Sequence, residues 1–371
     1  MPAPITVPLF CAASAAQGLD LPALLRSVVD SQRYMLGPRV QAFEEAFAAY
    51  VGVRHAIGVA NGTDALELAL RGLGLGPGQR VLTVANAGFY ASTAIRAVGA
   101  EPVYAEIDDA MLTLAPAVLA EALAGQRLHA VVVTHMYGQL ADMPAIAAQC
   151  KAAGVPLIED CAQAHGARRD GRQAGAWGDI GCFSFYPTKN LGALGDGGAL
   201  VTTDDALAAR LRALRQYGWG TKYEVVHEGG RNSRLDELQA AVLEAKLPLL
   251  DEANARRRAI AARYGAAFAG LPLQAPLAQG EDYVAHLYVV RSTQREALRA
   301  HLSAQGIASD VHYPLPDHRQ PVVADACAGV RLPLTEAACA QVLSLPCFLG
   351  MTDSQVEQVI SVVADFHERV A

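Results

Sequence analysis

The strongest constraint on the fold of this chain is an alternation of two hydrophobic patterns between about residues 55 and 205. Short runs rich in β-branched residues alternate with segments whose apolar residues recur at helical spacing, such as Leu66, Ala69, Leu70 and Leu73. Strands that alternate with helices favour a largely parallel sheet that is covered by helices on both faces. The strands predicted in this region are 56–60, 80–84, 102–107, 128–134, 155–160, 180–186 and 198–203.

The pattern changes after about residue 245. A long helix rich in Ala and Arg is predicted over about 250–268, followed by a strand over 283–291, a helix, a strand over 307–313 and a terminal helix. A chain of 371 residues exceeds what one hydrophobic core usually supports. We therefore expect a large domain of residues 1–245 and a smaller C-terminal α+β domain of residues 246–371.

Composition and charge narrow the class of protein. Hydrophobic residues make up 52% of the chain and charged residues 18%, as in well-folded soluble proteins. The net charge is −7 and no basic stripe is present, so we expect no nucleic-acid partner. Seven cysteines without a CxxC pair predict reduced thiols and no metal site. Because the sequence has neither a signal-peptide pattern nor an apolar run long enough to span a membrane, we expect a cytoplasmic protein.

One polar segment, residues 60–70, follows a predicted strand and opens a helix. The backbone N–H groups at a helix N-terminus are unpaired and favour an anion, and Gly62 would let a phosphate approach closely. An ordinary N-cap formed by Thr63 or Asp64 is the alternative explanation of the same residues. Ligands bind at this edge of parallel sheets, where the carboxyl ends of the strands meet.

A second segment, residues 157–167, places Glu159 and Asp160 directly after an apolar strand. A carboxylate is expensive to bury there unless it has a cationic partner. The protonated pyridine nitrogen of pyridoxal 5'-phosphate (PLP) would be such a partner, since this cofactor needs the proton to act as an electron sink. A helix-capping pair of acids is the alternative.

Two further segments carry candidate functional residues. In residues 178–198, Lys189 follows a strand and lies in a glycine-rich stretch. A lysine amine becomes a nucleophile when its surroundings lower its pKa, and Schiff-base formation is its usual task, although most loop lysines are solvated charges. In residues 229–243, Arg231, Asn232, Ser233 and Arg234 precede an amphipathic helix, which by itself indicates only a well-capped helix.

The order of these segments resembles that of fold-type I PLP enzymes, because Asp160 precedes Lys189 by 29 residues and both follow a phosphate-type turn. The match is closer than that. Six blocks between about residues 34 and 320 resemble the DegT/DnrJ/EryC1/StrS family of PLP-dependent nucleotide-sugar aminotransferases: VGVRHAIGVANGTDALELAL, HMYGQLADM, EDCAQAHGA, SFYPTKNLGALGDGGALVT, NSRLDELQAA and VHYPLPDHRQ. The resemblance implies an aspartate aminotransferase-like α/β fold with a mixed, mostly parallel sheet.

The resemblance also implies a role for each candidate residue. Lys189 would bind PLP as a Schiff base and shuttle the proton, while Asp160 would pair with the pyridinium nitrogen. Gln163 would bond the phenolic oxygen of the cofactor, and Phe89 would stack on its ring. The cofactor phosphate would be held by Gly62, Thr63 and Ser184.

Partners and substrate follow from the same comparison. Asn232 would reach the phosphate in the neighbouring subunit, which makes the active site a shared feature of a homodimer. Arg231, His312 and Tyr313 are candidates for binding the pyrophosphate of the substrate. An amino donor, glutamate in relatives, would convert PLP to pyridoxamine 5'-phosphate, and a nucleotide-linked ketosugar would then take the amine.

The substrate interpretation keeps several alternatives open. Lys189 favours transamination over the sugar dehydration of the family branch that carries histidine there. The segment RQYGWGTKY, residues 215–223, resembles that of enzymes that aminate the 3-keto group of dTDP-3-keto-6-deoxyhexoses. The alternatives are a 4-ketosugar aminotransferase or UDP-hexuronate 3-aminotransferase of the same family, and a non-catalytic PLP-binding regulator.

Overall fold

The computed structural model describes residues 4–277 and 280–370. Its strands are β1 (His55–Val59), β2 (Arg80–Val84), β3 (Glu101–Ala105), β4 (Ala130–Thr134), β5 (Leu157–Asp160), β6 (Arg168–Arg169), β7 (Arg172–Gln173), β8 (Ile180–Ser184), β9 (Gly198–Thr202), β10 (Trp219–Thr221), β11 (Glu224–Val225), β12 (Tyr288–Arg291) and β13 (Val342–Leu345). Its α-helices are α1 (Leu21–Ser31), α2 (Pro38–Val51), α3 (Gly62–Gly72), α4 (Tyr90–Ala97), α5 (Pro116–Gly125), α6 (Met143–Ala153), α7 (Asp205–Leu214), α8 (Glu237–Lys246), α9 (Leu250–Ala267), α10 (Arg295–Ala304), α11 (Pro333–Gln341) and α12 (Asp353–Val370). No helix in the described ranges has the length and hydrophobicity needed to cross a membrane.

The central sheet has seven strands in the order β1-β9-β8-β5-β4-β2-β3. The neighbours from β8 to β3 are parallel, and β9 pairs antiparallel with both β8 and β1. Strand β1 therefore runs in the same direction as β8. The carboxyl ends of β1, β4, β5 and β8 consequently lie at one edge of the sheet, which is where ligands bind in such folds.

Helices cover both faces of this sheet. Buried residues of α3, α4 and α7 form one core with the strands, and those of α2, α5, α6 and α8 form a second core on the opposite face. A third core lies between α9, α10 and α12 and the antiparallel pair β12–β13. The fold class expected from the sequence, a mixed and mostly parallel α/β sheet with a smaller α+β part at the C-terminal end, is confirmed. The division of the chain at residue 245 stays a prediction.

All seven strands predicted between residues 55 and 205 are present, with ends that differ by one or two residues in most cases. The long helix predicted over 250–268 is α9. Six of these strands, all except β3, are buried over most of their length. Strands that are buried on both faces require nearly continuous apolar runs, and such runs can be recognised in the sequence.

The strands predicted after residue 280 were partly wrong. The predicted strand 283–291 is regular only in β12, since Val284 and Leu287 hydrogen-bond to the backbone of the 137–138 turn instead of a neighbouring strand. Residues 307–313 form no strand and make only single bridges, from Ile307 to Val7 and from Asp310 to Ser344. The true partner of β12 is β13, which the sequence analysis missed because it follows α11 without a turn signal.

Helix α2 is anchored by a buried carboxylate from α8. Its N-cap, Gly37, has no side chain to cap the helix. The carboxylate of Glu237 accepts hydrogen bonds from the N–H groups of Gly37 at 2.8 Å, Arg39 at 3.0 Å and Val40 at 2.9 Å. Glu237 is 1% exposed, so water cannot replace it. This contact with Glu237, about 200 positions away in the sequence, therefore fixes where α2 begins.

We expect Glu237→Ala to lower the free energy of unfolding by about 2–5 kcal/mol, because it leaves three donors without their acceptor in a buried position. Glu244→Ala is the matched control on the same helix. Its carboxylate pairs with Arg39 at 3.3 Å in a partly exposed ion pair, whose loss costs about 0–1 kcal/mol. Urea denaturation of both variants checks the prediction, and equal losses would contradict it.

Candidate active site

A cavity of about 570 Å³ opens at the carboxyl ends of the central strands. The residues that line it come from the ends of β1, β4, β5 and β8 and from the loops that follow. They include six of the predicted site residues: Gly62, Thr63, Asp160, Gln163, Ser184 and Lys189. The parallel order of the strands thus brings together residues that are more than 120 positions apart in the sequence.

The turn between β1 and α3 forms one end of this cavity. The side chain of Asn61 caps α3 by accepting from the N–H of Asp64 at 2.8 Å, so the cap is neither Thr63 nor Asp64. A Cβ on Gly62 would lie 2.6 Å from the Cβ of Ser184. Only glycine lets the turn approach β8 this closely, and the N–H groups of the first helical turn then face the cavity together with the Ser184 side chain.

Glu159 and Asp160 point to opposite sides of β5, as successive residues of a strand do. The Glu159 carboxylate is fully buried and accepts from the N–H groups of Gly175 at 2.9 Å and of Trp177 and Gly178 at 2.7 Å, and it lies 3.0 Å from His135 Nε2. Its lone pairs are therefore engaged away from the cavity. Although His135, Glu159 and Cys161 lie close enough to share a metal, the contacts of Glu159 already account for this cluster.

Asp160 lines the cavity and is 5% exposed. Its Oδ1 accepts from the N–H of Ala162 at 3.1 Å, and its Oδ2 accepts from the Thr134 hydroxyl at 3.3 Å. No lysine, arginine or histidine of the described ranges forms an ion pair with it. Burial raises the pKa of Asp160, while the Ala162 N–H and the nearby Lys189 charge oppose this rise. Such a carboxylate gains most from a cation that enters the cavity.

Lys189 lies beyond the end of β8, where its backbone N–H donates to the carbonyl of Tyr186 at 2.8 Å. Burial lowers the pKa of its amine to about 8, and the charge of Asp160 only partly offsets this effect. At neutral pH the neutral, nucleophilic form is therefore far more populated than in a free lysine. The chain has only three other lysines, and none lines this cavity: Lys151, Lys222 and Lys246.

Gln163 connects the cavity wall to two tyrosines. Its Oε1 accepts from the N–H of Tyr137 at 2.6 Å, and its Nε2 donates to the Tyr313 hydroxyl at 3.3 Å. Tyr137 in turn donates to the carbonyl of His312 at 2.5 Å. This network orients the Gln163 amide and brings the segment around residue 313 against the cavity.

Phe89 is half-buried and its backbone adopts a left-handed conformation, with φ of 68°. Its neighbours Ala87 and Tyr90 line the large cavity at this point, so stacking by the Phe89 ring stays a prediction. Tyr90, Tyr186 and Asp196 line the cavity as well, and the sequence analysis missed all three. Tyr186 gave one usable signal, since it is a large aromatic residue placed just beyond the end of a buried strand.

The residues predicted to act from the 229–243 segment lie elsewhere. Asn232 is exposed, pairs through its backbone with Gln216, and does not line the cavity of its own chain. The Arg231 guanidinium pairs with Asp64 at 3.1 Å and with Glu67, so it is already neutralised within the described fold. Substrate binding by Arg231 is thus the least supported of the predicted roles.

A second cavity, of about 330 Å³, lies on the other side of Lys189. Tyr90, Gln163, Tyr186 and Lys189 line both cavities. His312 and Tyr313, which were predicted to bind substrate, line the second one, together with Leu9 and Phe10 from the N-terminal segment and with Arg257 and His286. Lys189 therefore borders two adjoining cavities.

Asp317 fixes the loop that carries Phe89. Its carboxylate accepts from the Phe89 N–H at 2.8 Å and from the Ser92 hydroxyl at 2.6 Å, and its own N–H donates to the Ala85 carbonyl at 2.7 Å. Burial raises the pKa of Asp317 to about 7, which the two hydrogen bonds to its carboxylate only partly offset. A buried acid from the C-terminal part of the chain thus holds the loop above the cavity.

We expect Asp317 to make stability fall as the pH rises from about 4 to about 7. A carboxyl group whose pKa is higher in the folded than in the unfolded protein contributes its full stability below the unfolded value and loses it as the pH passes the folded value. Asp317→Asn does not titrate, so the difference in unfolding free energy between about pH 5 and pH 8 should shrink by roughly 1–4 kcal/mol. Asp325→Asn, on an exposed carboxylate nearby, should leave the difference unchanged. Urea titrations at the two pH values check this, and equal pH dependence in wild type and Asp317→Asn would contradict it.

Comparisons with known proteins agree with the geometry. Residues 19–364 match the DegT/DnrJ/EryC1/StrS aminotransferase family. A dTDP-3-amino-3,4,6-trideoxy-alpha-D-glucose transaminase of Streptomyces venezuelae is 47% identical over 94% of this chain and 92% of its own. A pleiotropic regulatory protein of Geobacillus stearothermophilus is 41% identical, covering 95% of each chain. A UDP-N-acetyl-3-dehydro-alpha-D-glucosamine 3-aminotransferase of Acidithiobacillus ferrooxidans is 42% identical over 91% of this chain and 90% of its own.

Solved structures give the same result. The crystal structure of S. venezuelae DesV in complex with a ketimine intermediate superposes with a TM-score of 0.95 at 44% identity, covering 100% of both chains. The structure of NtdA from Bacillus subtilis with bound cofactor PMP superposes with a TM-score of 0.90 at 29% identity, covering 96% of this chain and 84% of the other. The first similarity extends over the whole chain, and the second over nearly all of it.

Proposed function

This chain belongs to the DegT/DnrJ/EryC1/StrS aminotransferase family and is a PLP-dependent aminotransferase. We propose that it aminates the 3-keto carbon of a dTDP-linked 6-deoxyhexose, with glutamate as the amino donor. The observation that carries this proposal is the content of one cavity. Three groups line the same space: a buried carboxylate that has no ion-pair partner among the described residues, a lysine with a lowered pKa, and an open helix N-terminus.

These residues fit the cofactor group by group. Gly62 and Thr63 in the first turn of α3 offer N–H and hydroxyl donors for a phosphate, and Ser184 at the end of β8 offers a second hydroxyl. Asp160 offers the buried carboxylate that a protonated pyridine nitrogen needs, and Gln163 offers an amide beside it. A cavity of about 570 Å³ has room for a group of this size. When bound, PLP supplies the electron sink for the carbon that carries the amine.

The protein's own groups would then do three things. Asp160 holds the proton of the ring nitrogen, because a carboxylate in this low-dielectric position favours a paired positive charge. Lys189 Nζ would hold the cofactor and would also be placed to move a proton as a general acid and base. The network from Gln163 to Tyr313 and Tyr137 keeps the amide oriented. Because Lys189 borders both cavities, its amine can act on a substrate held in the second one.

The substrate assignment is supported by relatives and by one segment of the chain. The S. venezuelae transaminase acts on a dTDP-3-amino sugar, and the A. ferrooxidans enzyme also acts at carbon 3 but on a UDP sugar. Higher identity to the dTDP enzyme favours the dTDP sugar for this chain. The segment 215–223 forms an aromatic cluster in which the ring centroids of Tyr217 and Trp219 are 4.9 Å apart and those of Trp219 and Tyr223 are 5.3 Å apart.

We also propose that the enzyme is a homodimer that works in the cytoplasm. Asn232 is exposed and would complete the phosphate site of a second copy, and the large apolar side chains of Tyr223 and Val225 are exposed as well. Six of the seven free cysteines are buried thiols, which suits a reducing compartment.

A regulator without catalytic activity is the second candidate, because the G. stearothermophilus relative is described as a regulatory protein. The geometry favours the enzyme. A protein that only bound the cofactor would gain nothing from a second cavity that reaches the Lys189 amine.

Lys189 makes the cofactor assignment directly testable. We expect protein treated with PLP and borohydride to carry the reduced cofactor on the peptide of Lys189 and on none of the other three lysines. Lys189→Ala should lose multiple turnover by at least about a thousandfold, since it removes the general acid and base. Lys246→Ala is the control, because the pKa of that amine is also lowered by burial but it donates to the Gly192 carbonyl at 2.7 Å. Peptide mass mapping and turnover assays read out the result; label on another lysine would overturn the assignment.

The sugar is tested by product regiochemistry. We expect the dTDP-3-keto-6-deoxyhexose to be aminated with a kcat/KM at least about tenfold above that of a dTDP-4-ketosugar or a UDP-3-ketohexuronate, since substrates that leave buried polar groups unpaired are rejected at this scale or more. NMR of the products assigns the aminated carbon. A preference for the 4-ketosugar or for the UDP sugar would replace the proposed substrate while leaving the aminotransferase assignment intact.

A further inference from the structure

The second cavity is lined by a buried cation for which the described part of the chain offers no acidic partner. Arg257, on α9, is 5% exposed and lines the cavity together with Lys189. Its Nη1 donates to the backbone carbonyls of Cys347 at 2.5 Å, Ala285 at 3.4 Å and His286 at 3.5 Å. Within residues 4–277 and 280–370, no carboxylate forms an ion pair with it, and no hydrogen bond uses its Nε or Nη2.

This arrangement is unusual for a structural arginine. A guanidinium keeps its charge in proteins, and burying that charge without a carboxylate is costly. Its neighbour Arg256 shows the ordinary solution, since that residue pairs with Asp353 at 3.0 Å at the surface. The three carbonyls hold one nitrogen of Arg257 in place, while the Nε and Nη2 groups of this cavity-lining residue have no hydrogen-bond acceptor among the described residues.

The other polar groups around the cavity leave the charge uncompensated. His286 Nδ1 lies 3.1 Å from Asn190 Oδ1, and because Asn190 Nδ2 donates to Asn254 Oδ1 and Val284 O, the histidine must donate through Nδ1. Burial lowers the pKa of His286, so the ring is neutral. Asp310 is the one carboxylate among the described lining residues; it is exposed at the rim and approaches His312.

We propose that Arg257 binds the α-carboxylate of the amino donor. Two substrates use Lys189 in turn, and their anionic groups lie at different distances from the reacting carbon. In an amino acid the carboxylate is attached to the carbon that carries the amine, whereas in a nucleotide sugar the pyrophosphate is separated from carbon 3 by part of the sugar ring. A planar cation in the wall of the cavity that contains Lys189 matches the amino acid, and a guanidinium fork matches a carboxylate.

The inference rests on the proposed aminotransferase function and adds a donor site to it. Arg257→Gln keeps an amide that can still donate to the backbone carbonyls but removes the charge, and Arg257→Lys keeps the charge without the fork. We expect Arg257→Gln to raise the KM for glutamate about ten- to a hundredfold, as loss of a charge-assisted contact does. The reaction of the aminated enzyme with the ketosugar should change less than about twofold. Arg257→Lys should recover part of the loss, and Arg256→Gln should behave as wild type.

A binding measurement separates this inference from the function itself. Glutarate, a dicarboxylate that cannot be transaminated, should bind wild type and Arg256→Gln with equal affinity in calorimetric titration, and Arg257→Gln at least about tenfold more weakly. If wild type transaminates but Arg257→Gln keeps its KM for glutamate and its glutarate affinity, the donor site is wrong. Equal losses of activity in both half-reactions would also overturn it, because they would show that Arg257 only stabilises the fold of the site. If wild type transaminates nothing yet shows the glutarate difference, the proposed function fails while the anion site stands.

Discussion

The rest of the site depends on one costly interaction, a carboxylate buried at the end of a central strand. Asp160 accepts from two hydrogen-bond donors, the Ala162 N–H and the Thr134 hydroxyl, yet no cationic side chain among the described residues forms an ion pair with it. Burial raises the pKa of Asp160, and a positive charge in the cavity, such as the Lys189 amine or a cation that binds from solution, favours its ionised form. The free-energy cost of burying the Asp160 carboxylate explains why this cavity suits a cofactor with a basic ring nitrogen. Lys189 lies nearby without forming an ion pair with Asp160.

The sheet makes that arrangement possible. Parallel strands deliver the turn at residue 62, Asp160 and Ser184 to one edge, and Lys189 follows Ser184 by one short loop. Close approach is then required between the turn and β8, where Gly62 lies against Ser184 and a Cβ on Gly198 would lie 2.4 Å from the Asn61 carbonyl. Contacts between distant parts of the chain complete this arrangement. Glu237 caps the N-terminus of α2, Asp317 holds the Phe89 loop, and Arg257 lines the second cavity.

The central sheet and the position of the site could be predicted from the sequence, because both depend on local patterns of apolar and polar residues. The buried strands read as continuous apolar runs, and the polar residues that follow them mark the edge where the site lies. The sequence could not indicate which residues pair across the fold. Arg231 was a plausible pyrophosphate ligand until the structure showed it paired with Asp64 and Glu67. Arg257 lay unnoticed in an arginine-rich helix, since nothing local distinguishes it from Arg256. Strand β13 was missed because it continues directly from α11.

A division of labour follows from the two cavities that meet at Lys189. One holds the groups that fit the cofactor, and the other holds Arg257, His286 and His312 for the substrates.

The central claim is that Asp160 keeps the ring nitrogen of bound PLP protonated. The most direct test is the ¹⁵N chemical shift of ring-labelled PLP bound to the enzyme. We predict a protonated pyridinium signal throughout about pH 6 to 9, because a carboxylate close to the ring nitrogen favours its charged form. A neutral pyridine signal across that range would contradict the account.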